Sequence, residues 1–144
     1  MRRMNRFVRR IYSAHFPGRR LILLLTTTGR RSGLPRATPL QYELIDGIHW
    51  VASGWGQDAD WLKNIRHHPH VWVQVGGDRY QALAEIIDEP TRVADFLKLR
   101  LERHPLMVGL MLRAQGLPVK HNRQDLEHLA IDKTVIKLLS LIHI

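Results

Sequence analysis

The chain has 144 residues, 44% of them hydrophobic and 24% charged, which is enough for one folded domain with its own core. It contains no cysteine, so disulfides, thiolate metal sites and a cysteine nucleophile are excluded. The net charge of +9 is segregated: residues 1–42 hold ten arginines and no acidic residue, whereas the rest of the chain nearly balances. Segregation of this kind points to an anionic partner near that segment: nucleic acid, anionic lipid or an anionic cofactor.

Residues 2–16 are predicted to form an amphipathic helix. Met4, Phe7, Val8 and Ile11 share one face, arginines take the others, and Pro17-Gly18 ends it. Such a helix can lie on an anionic membrane or pack over the domain, and the pattern leaves both open. No apolar run approaches the roughly 18 residues of a membrane span, and no secretory signal pattern follows the basic start, so a cytoplasmic chain is expected.

Leu21 to Thr28 is predicted as a buried strand, Gly29 to Pro35 as a loop, and Ala37 to Ile45 as a second strand. Asp46-Gly47 is a two-residue hairpin signal, returning the chain through Ile48 to Ser53. A short helix follows from Ala59 to His67, with Asp58 as its expected N-cap and Pro69 as its stop. Val71 to Val75 and Tyr80 to Ile87 form a hairpin around Gly76-Gly77-Asp78. Two helices come next, one opened by Glu89 and Pro90 and running to about Arg103, the other from Leu106 to Ala114. Residues 119–133 read as irregular, and Thr134 to Ile144 fits either a strand or a terminal helix. Short connections between strands argue for an antiparallel sheet, so the expected fold is α+β, mainly β. It is one domain over residues 1–144, a small barrel of about six strands with helices outside.

The loop Gly29-Arg30-Arg31-Ser32-Gly33, with Arg36 just beyond, combines tight-turning glycines with three guanidinium groups suited to phosphate or carboxylate. It lacks the Lys-Ser/Thr of a Walker A loop. From the residues alone, an anion site and a solvated basic turn are equally good accounts. Ser53-Gly54-Trp55-Gly56 ends a strand with glycines around an aromatic residue, as a flat ligand or a plugged barrel end would require. Trp61 and Asn64 share one face of the short helix. His67, His68 and His70 have no ligand-like geometry for a metal, and none is expected. Ser13, Ser32, Ser53 and Ser140 sit in no nucleophile elbow, so no catalytic side chain is assigned.

Taken together, Leu24-Leu25-Thr26-Thr27-Thr28-Gly29-Arg30-Arg31-Ser32-Gly33, Arg36, Thr38-Pro39-Leu40, Asp46-Gly47, Ala52-Ser53-Gly54, Trp61 with Asn64, and Pro69 before a valine-rich strand ending in Gly76-Gly77 resemble the deazaflavin-dependent nitroreductase family. The resemblance covers roughly residues 20–90. It implies a split β-barrel binding coenzyme F420, a deazaflavin with a phosphate and an oligoglutamate tail. By that likeness Arg30, Arg31 and Arg36 meet the phosphate and glutamates, and Ser32 and Gly33 shape the loop. Ala52, Ser53, Gly54 and Trp55 border the ring, supported by Trp61 and Asn64. The implied reaction is hydride transfer from the reduced cofactor to a small electron-poor molecule such as a quinone, nitroaromatic or enone. Gly54 stands where some members have a lysine, and Met107, Leu110 and Met111 replace tyrosines near the substrate, favouring an apolar substrate. FMN is the alternative cofactor. A non-enzymatic module binding anionic membrane or nucleic acid through residues 1–42 is the alternative class, although no nucleic-acid reading element is evident and no such partner is expected. A homodimer is left open.

Overall fold

A computed structural model describes residues 22–54 and 59–143; the predicted helix 2–16, Trp55 and Asp58 lie outside the described residues. The leucine run forms β1 (Ile22–Thr28), with Leu23, Leu24 and Leu25 all buried. The loop after it hands the chain to β2 (Pro35–Gln41), antiparallel to β1 in a register that sets Arg36 opposite Thr27. The expected second strand divides here. Tyr42 alone separates β2 from β3 (Glu43–Ile45), and β3 pairs not with β1 but with β4 (Ile48–Ser53). Between β3 and β4, Asp46 and Gly47 have φ of 51° and 77°, the left-handed pair that a hairpin turn of the predicted kind needs.

Helix α1 (Asp60–His67) follows, with Ala59 rather than Asp58 as its N-cap residue and no side-chain cap. β5 (His70–Val75) and β6 (Asp78–Ile87) form the expected hairpin. Helices α2 (Pro90–Arg103) and α3 (Pro105–Ala114) each begin at a proline, whose missing N–H costs nothing at that position. The segment read as irregular contains a further helix, α4 (Arg123–Ala130). Its start is a capping box: the Asn122 side chain accepts from the Asp125 N–H, and the Asp125 carboxylate accepts from the Asn122 N–H. An aspartate closing the box in place of glutamate, and only two turns of helix, hide it from pattern reading. The last segment resolves as a strand, β7 (Thr134–Ser140), with a short 3-10 turn at Leu141–His143.

The seven strands make one antiparallel sheet in the order β2-β1-β5-β6-β7-β4-β3. β2 and β3 are therefore opposite edges, yet one residue connects them, so the sheet must curl until its edges meet. This is the α+β, split-barrel-like architecture expected, with seven strands because the second divides at Tyr42. Two cores result. Leu23, Leu25, Val51, Val73, Ile136 and Leu138 fill the inside of the curl, closed by Trp61, Leu62 and Ile65 of α1. Val135 and Ile87 on the outer face meet Val93, Phe96, Leu97, Val108, Leu112 and Leu126 of the other helices. β7 is thus buried on both faces, and the alternation that would mark it as a strand is erased. Each fully buried Leu, Ile or Val side chain contributes about 1.5–3 kcal/mol.

Inside the curl, His49 Nδ1 and the Tyr80 hydroxyl lie 2.7 Å apart, with Tyr42 edge-on to the imidazole at 5.2 Å between ring centroids. Burial holds His49 below its ordinary 6.5 and pushes Tyr80 up to about 12. Below pH 6.5 the unfolded chain binds a proton that folded His49 refuses; above pH 10.0 unfolded Tyr80 ionises before the folded residue does. Stability is therefore expected to fall on the acid side of 6.5 and again on the alkaline side of 10.0. In denaturant titrations across pH, His49→Gln should flatten part of the acid limb and Tyr80→Phe part of the alkaline one.

Candidate functional site

The basic loop is a tightly tied structure. Gly29 N–H donates to the Leu34 carbonyl at 2.8 Å, and Gly33 N–H to the Gly29 carbonyl at 2.8 Å. Ser32 Oγ turns inward to accept from Leu34 N–H at 3.1 Å. A side chain at position 29 would bring its Cβ within 2.7 Å of that hydroxyl, and Gly33 has φ of +71°, so both glycines are dictated by the turn.

Buried Asn64 of α1 holds the loop to the domain. Its Oδ1 accepts from Arg30 N–H at 3.1 Å and from Arg30 Nη1 at 2.9 Å, while its Nδ2 donates to Thr27 Oγ1 at 3.2 Å. The Arg30 guanidinium also pairs with Asp60 at 3.2 Å and reaches the Asp60 carbonyl at 3.5 Å. Arg30 is therefore turned back onto α1. Arg31 and Arg36 are exposed, and neither has an ion-pair partner among the described residues.

A cavity of about 400 Å³ lies beyond the other end of β2. Its floor is Ala52, Ser53 and Gly54 from β4 and the turn after it, with Ala59 and Trp61; Pro39, Leu40, Gln41 and Tyr42 form one side. Helices α2 and α3 close it with Phe96, Leu97, Arg100, Met111 and Leu112, and Gln115 just after α3 and Lys133 complete the wall. The predicted residues thus separate into a loop set (Arg30, Arg31, Ser32, Gly33, Arg36, with Asn64 beneath) and a cavity set (Ala52, Ser53, Gly54, Trp61), joined by β2. Of the apolar residues expected near a substrate, Met111 lines the cavity, Met107 packs in the outer core, and Leu110 is exposed.

Four polar wall residues escaped pattern reading: Gln41, Arg100, Gln115 and Lys133. Arg100 did leave a signal, since Val93, Leu97 and Arg100 follow the i, i+4, i+7 spacing of the buried face of α2. It is 8% exposed, with Nε donating to Glu43 at 3.0 Å and Nη2 to Gln41 at 2.9 Å. Arg103 and His104 also reach the buried Glu43 carboxylate, each at 3.2 Å. His67, His68 and His70 are exposed, and no described helix is long and apolar enough to cross a membrane.

A family model described as F420H(2)-dependent quinone reductase matches residues 1–108 of the chain. Among solved structures, the chain is similar to a conserved hypothetical protein from Mycobacterium tuberculosis, at 17% identity over 96% of this chain and 82% of that one, with a TM-score of 0.60. It is also similar to an F420-H2-dependent reductase, FDR-A, at 24% identity over 83% and 94%, TM-score 0.57. A third similar protein is described as a domain-swapped dimer, at 25% identity over 83% and 80%, TM-score 0.57.

The two partners of Arg30 should separate sharply on mutation. Asn64→Ala removes three bonds, two of them from one arginine, and leaves the loop backbone unpaired, so a loss of about 1–3 kcal/mol in urea unfolding is expected. Asp60→Ala breaks only an exposed ion pair and should change stability by less than about 1 kcal/mol.

Proposed function

The chain belongs to the F420H2-dependent quinone reductase family, and from that premise we propose that the basic loop and the cavity hold the two ends of a single cofactor molecule. The enzyme is an oxidoreductase whose reduced deazaflavin, when bound, supplies a hydride to a quinone-type substrate. What the chain itself contributes is the holding, orientation and drying of the reacting pair.

The observation that carries this reading is the course of β2. It begins beside the loop at Pro35 and Arg36 and ends in the cavity wall at Pro39 to Gln41. From Arg36 to Leu40 an extended strand covers about 13 Å, a span suited to a ribityl phosphate lying along it. The chemistry of each end fits its half of the cofactor. The deazaflavin ring meets the small, flat floor of Ala52, Ser53 and Gly54, with Trp61 under it and Trp55 following in sequence. The phosphate and glutamates meet Arg31 and Arg36, whose charges are free of carboxylates among the described residues. Arg30 takes a different part from its neighbours: it keeps the loop seated on Asn64 so that the other two arginines point outward. Gly54 brings no cation to this edge of the ring, but Lys133, just before Thr134 that pairs with Ser53, lines the same cavity. A homodimer, the assembly described for the relative with 25% identity, belongs to the same proposal and would elute at about twice 16.8 kDa in size-exclusion chromatography.

Cofactor titrations read by tryptophan fluorescence test these roles. Arg31→Ala and Arg36→Ala should each weaken binding by about 1.5–3 kcal/mol, the loss growing with tail length. Arg30→Ala should weaken binding of long- and short-tailed F420 alike, because it disturbs the loop and not a tail contact. FMN, which has the phosphate but no glutamates, should bind more weakly than F420; equal or tighter FMN binding would overturn the assignment of the loop.

A further inference from the structure

We propose that Arg100 is an oxyanion-binding residue: it holds one oxygen of the quinone at the helix-lined end of the cavity and stabilises the negative charge that oxygen acquires. The proposal rests on the reading that the cofactor ring lies on the floor of Ala52, Ser53 and Gly54.

Placement comes first. Arg100 is more than nine-tenths buried and lines, from α2, the same cavity as that floor. Its Nε and Nη2 are held by Glu43 and Gln41, which fix the guanidinium plane. Its Nη1 has no acceptor among the described residues, so donor capacity is left over on a group that cannot turn away. Charge points the same way. Glu43 is a single carboxylate facing Arg100, Arg103 and His104, leaving an excess of positive charge at this end. Beside the floor, next to Thr134 that pairs with Ser53, Lys133 Nζ bonds the Leu129 carbonyl, and its carboxylate partner Asp132 is largely exposed. Gln115 Oε1 is buried with no hydrogen-bond partner; as an acceptor it suits the O–H of the reduced product and not the charged oxygen. Phe96, Leu97, Met111 and Leu112 surround these groups with apolar surface, where a fixed donor acts on charge more strongly than it would in water.

In the reaction, one C–H bond of the reduced deazaflavin breaks, and its hydrogen and electron pair form an O–H bond at one quinone oxygen. The substrate becomes a hydroquinone monoanion with its charge on the other oxygen, where Arg100 Nη1 donates. The proton that the two-electron-oxidised cofactor releases completes the hydroquinone. Arg100 stays protonated throughout and transfers nothing.

4-Nitrophenol is a test ligand that needs no cofactor, because its phenol and phenolate forms are distinguished by visible absorbance near neutral pH. Bound to the full-length wild-type chain, its ionisation should shift down by at least about one pH unit, equivalent to tenfold tighter binding of the phenolate. Arg100→Lys keeps a cation for Glu43 and should retain only part of that shift. The double variant Arg100→Gln with Glu43→Gln removes both charges together and should abolish it, with the far-ultraviolet spectrum unchanged. Normal F420 binding by the wild type with an unshifted bound phenol, or an undiminished shift in the double variant, overturns the role of Arg100 alone. Failure of the wild type to bind F420 overturns the cofactor reading and this proposal with it.

Discussion

The structure depends on one closure. β2 and β3 are the opposite edges of a seven-stranded sheet, and Tyr42 is the only residue between them. The curl is therefore imposed by the chain before any packing is considered. Side chains then secure it: Arg100 reaches from α2 to Gln41 on one side of the break and Glu43 on the other. A buried ion pair of this kind is weak evidence for net stability, because desolvation offsets much of its attraction. Its effect here is geometric, since an arginine fork fits only one relative placement of two strand ends and a helix.

The same closure creates the cavity. Strand ends at the seam, the β4 terminus and helices α2 and α3 converge there and leave a space of about 400 Å³. Apolar residues from the helices dry it, while Arg100 and Lys133 are each held by hydrogen bonds to other residues. The loop at the far end of β2 is built on the opposite plan, with two exposed arginines on a backbone fastened from below by Asn64. A rigid support beneath an exposed charge suits binding of a flexible polyanion, because the protein side of the contact is already ordered. The loop and the cavity thus lie at opposite ends of a single extended strand.

The division into two cores explains how a chain of this length builds both halves. β4 and β7 lie between the inside of the curl and the helical layer, so Val51 and Ile136 pack inward while Ala52 and Val135 pack outward. The cavity floor is carried on the end of β4, which pairs along its length with the doubly buried β7. The family model ends at residue 108, whereas Met111, Leu112, Gln115 and Lys133 of the cavity wall lie beyond it.

Most elements were legible from residues alone because their signals are local. Asp46-Gly47, the prolines at 69, 90 and 105, and the alternation of Val71, Val73 and Val75 each dictate a backbone shape without help from the rest of the chain. The glycines at 29 and 33 likewise marked the loop. What could not be read required partners distant in sequence. One strand from Ala37 to Ile45 became two because its halves pair with different neighbours; α4 was masked by its shortness, and β7 by burial on both faces. Arg30 and Arg31 are adjacent and chemically identical, yet one is tied to a helix 30 to 34 residues away and the other faces solvent. Arg100 stood on an apolar helix face, and only the fold showed what it faces. The sequence by itself determined the local conformations and the concentration of positive charge, which follow from short-range sterics and composition. Only the tertiary structure decided which charges are free and which polar groups meet at the cavity, because that depends on how the sheet closes on itself.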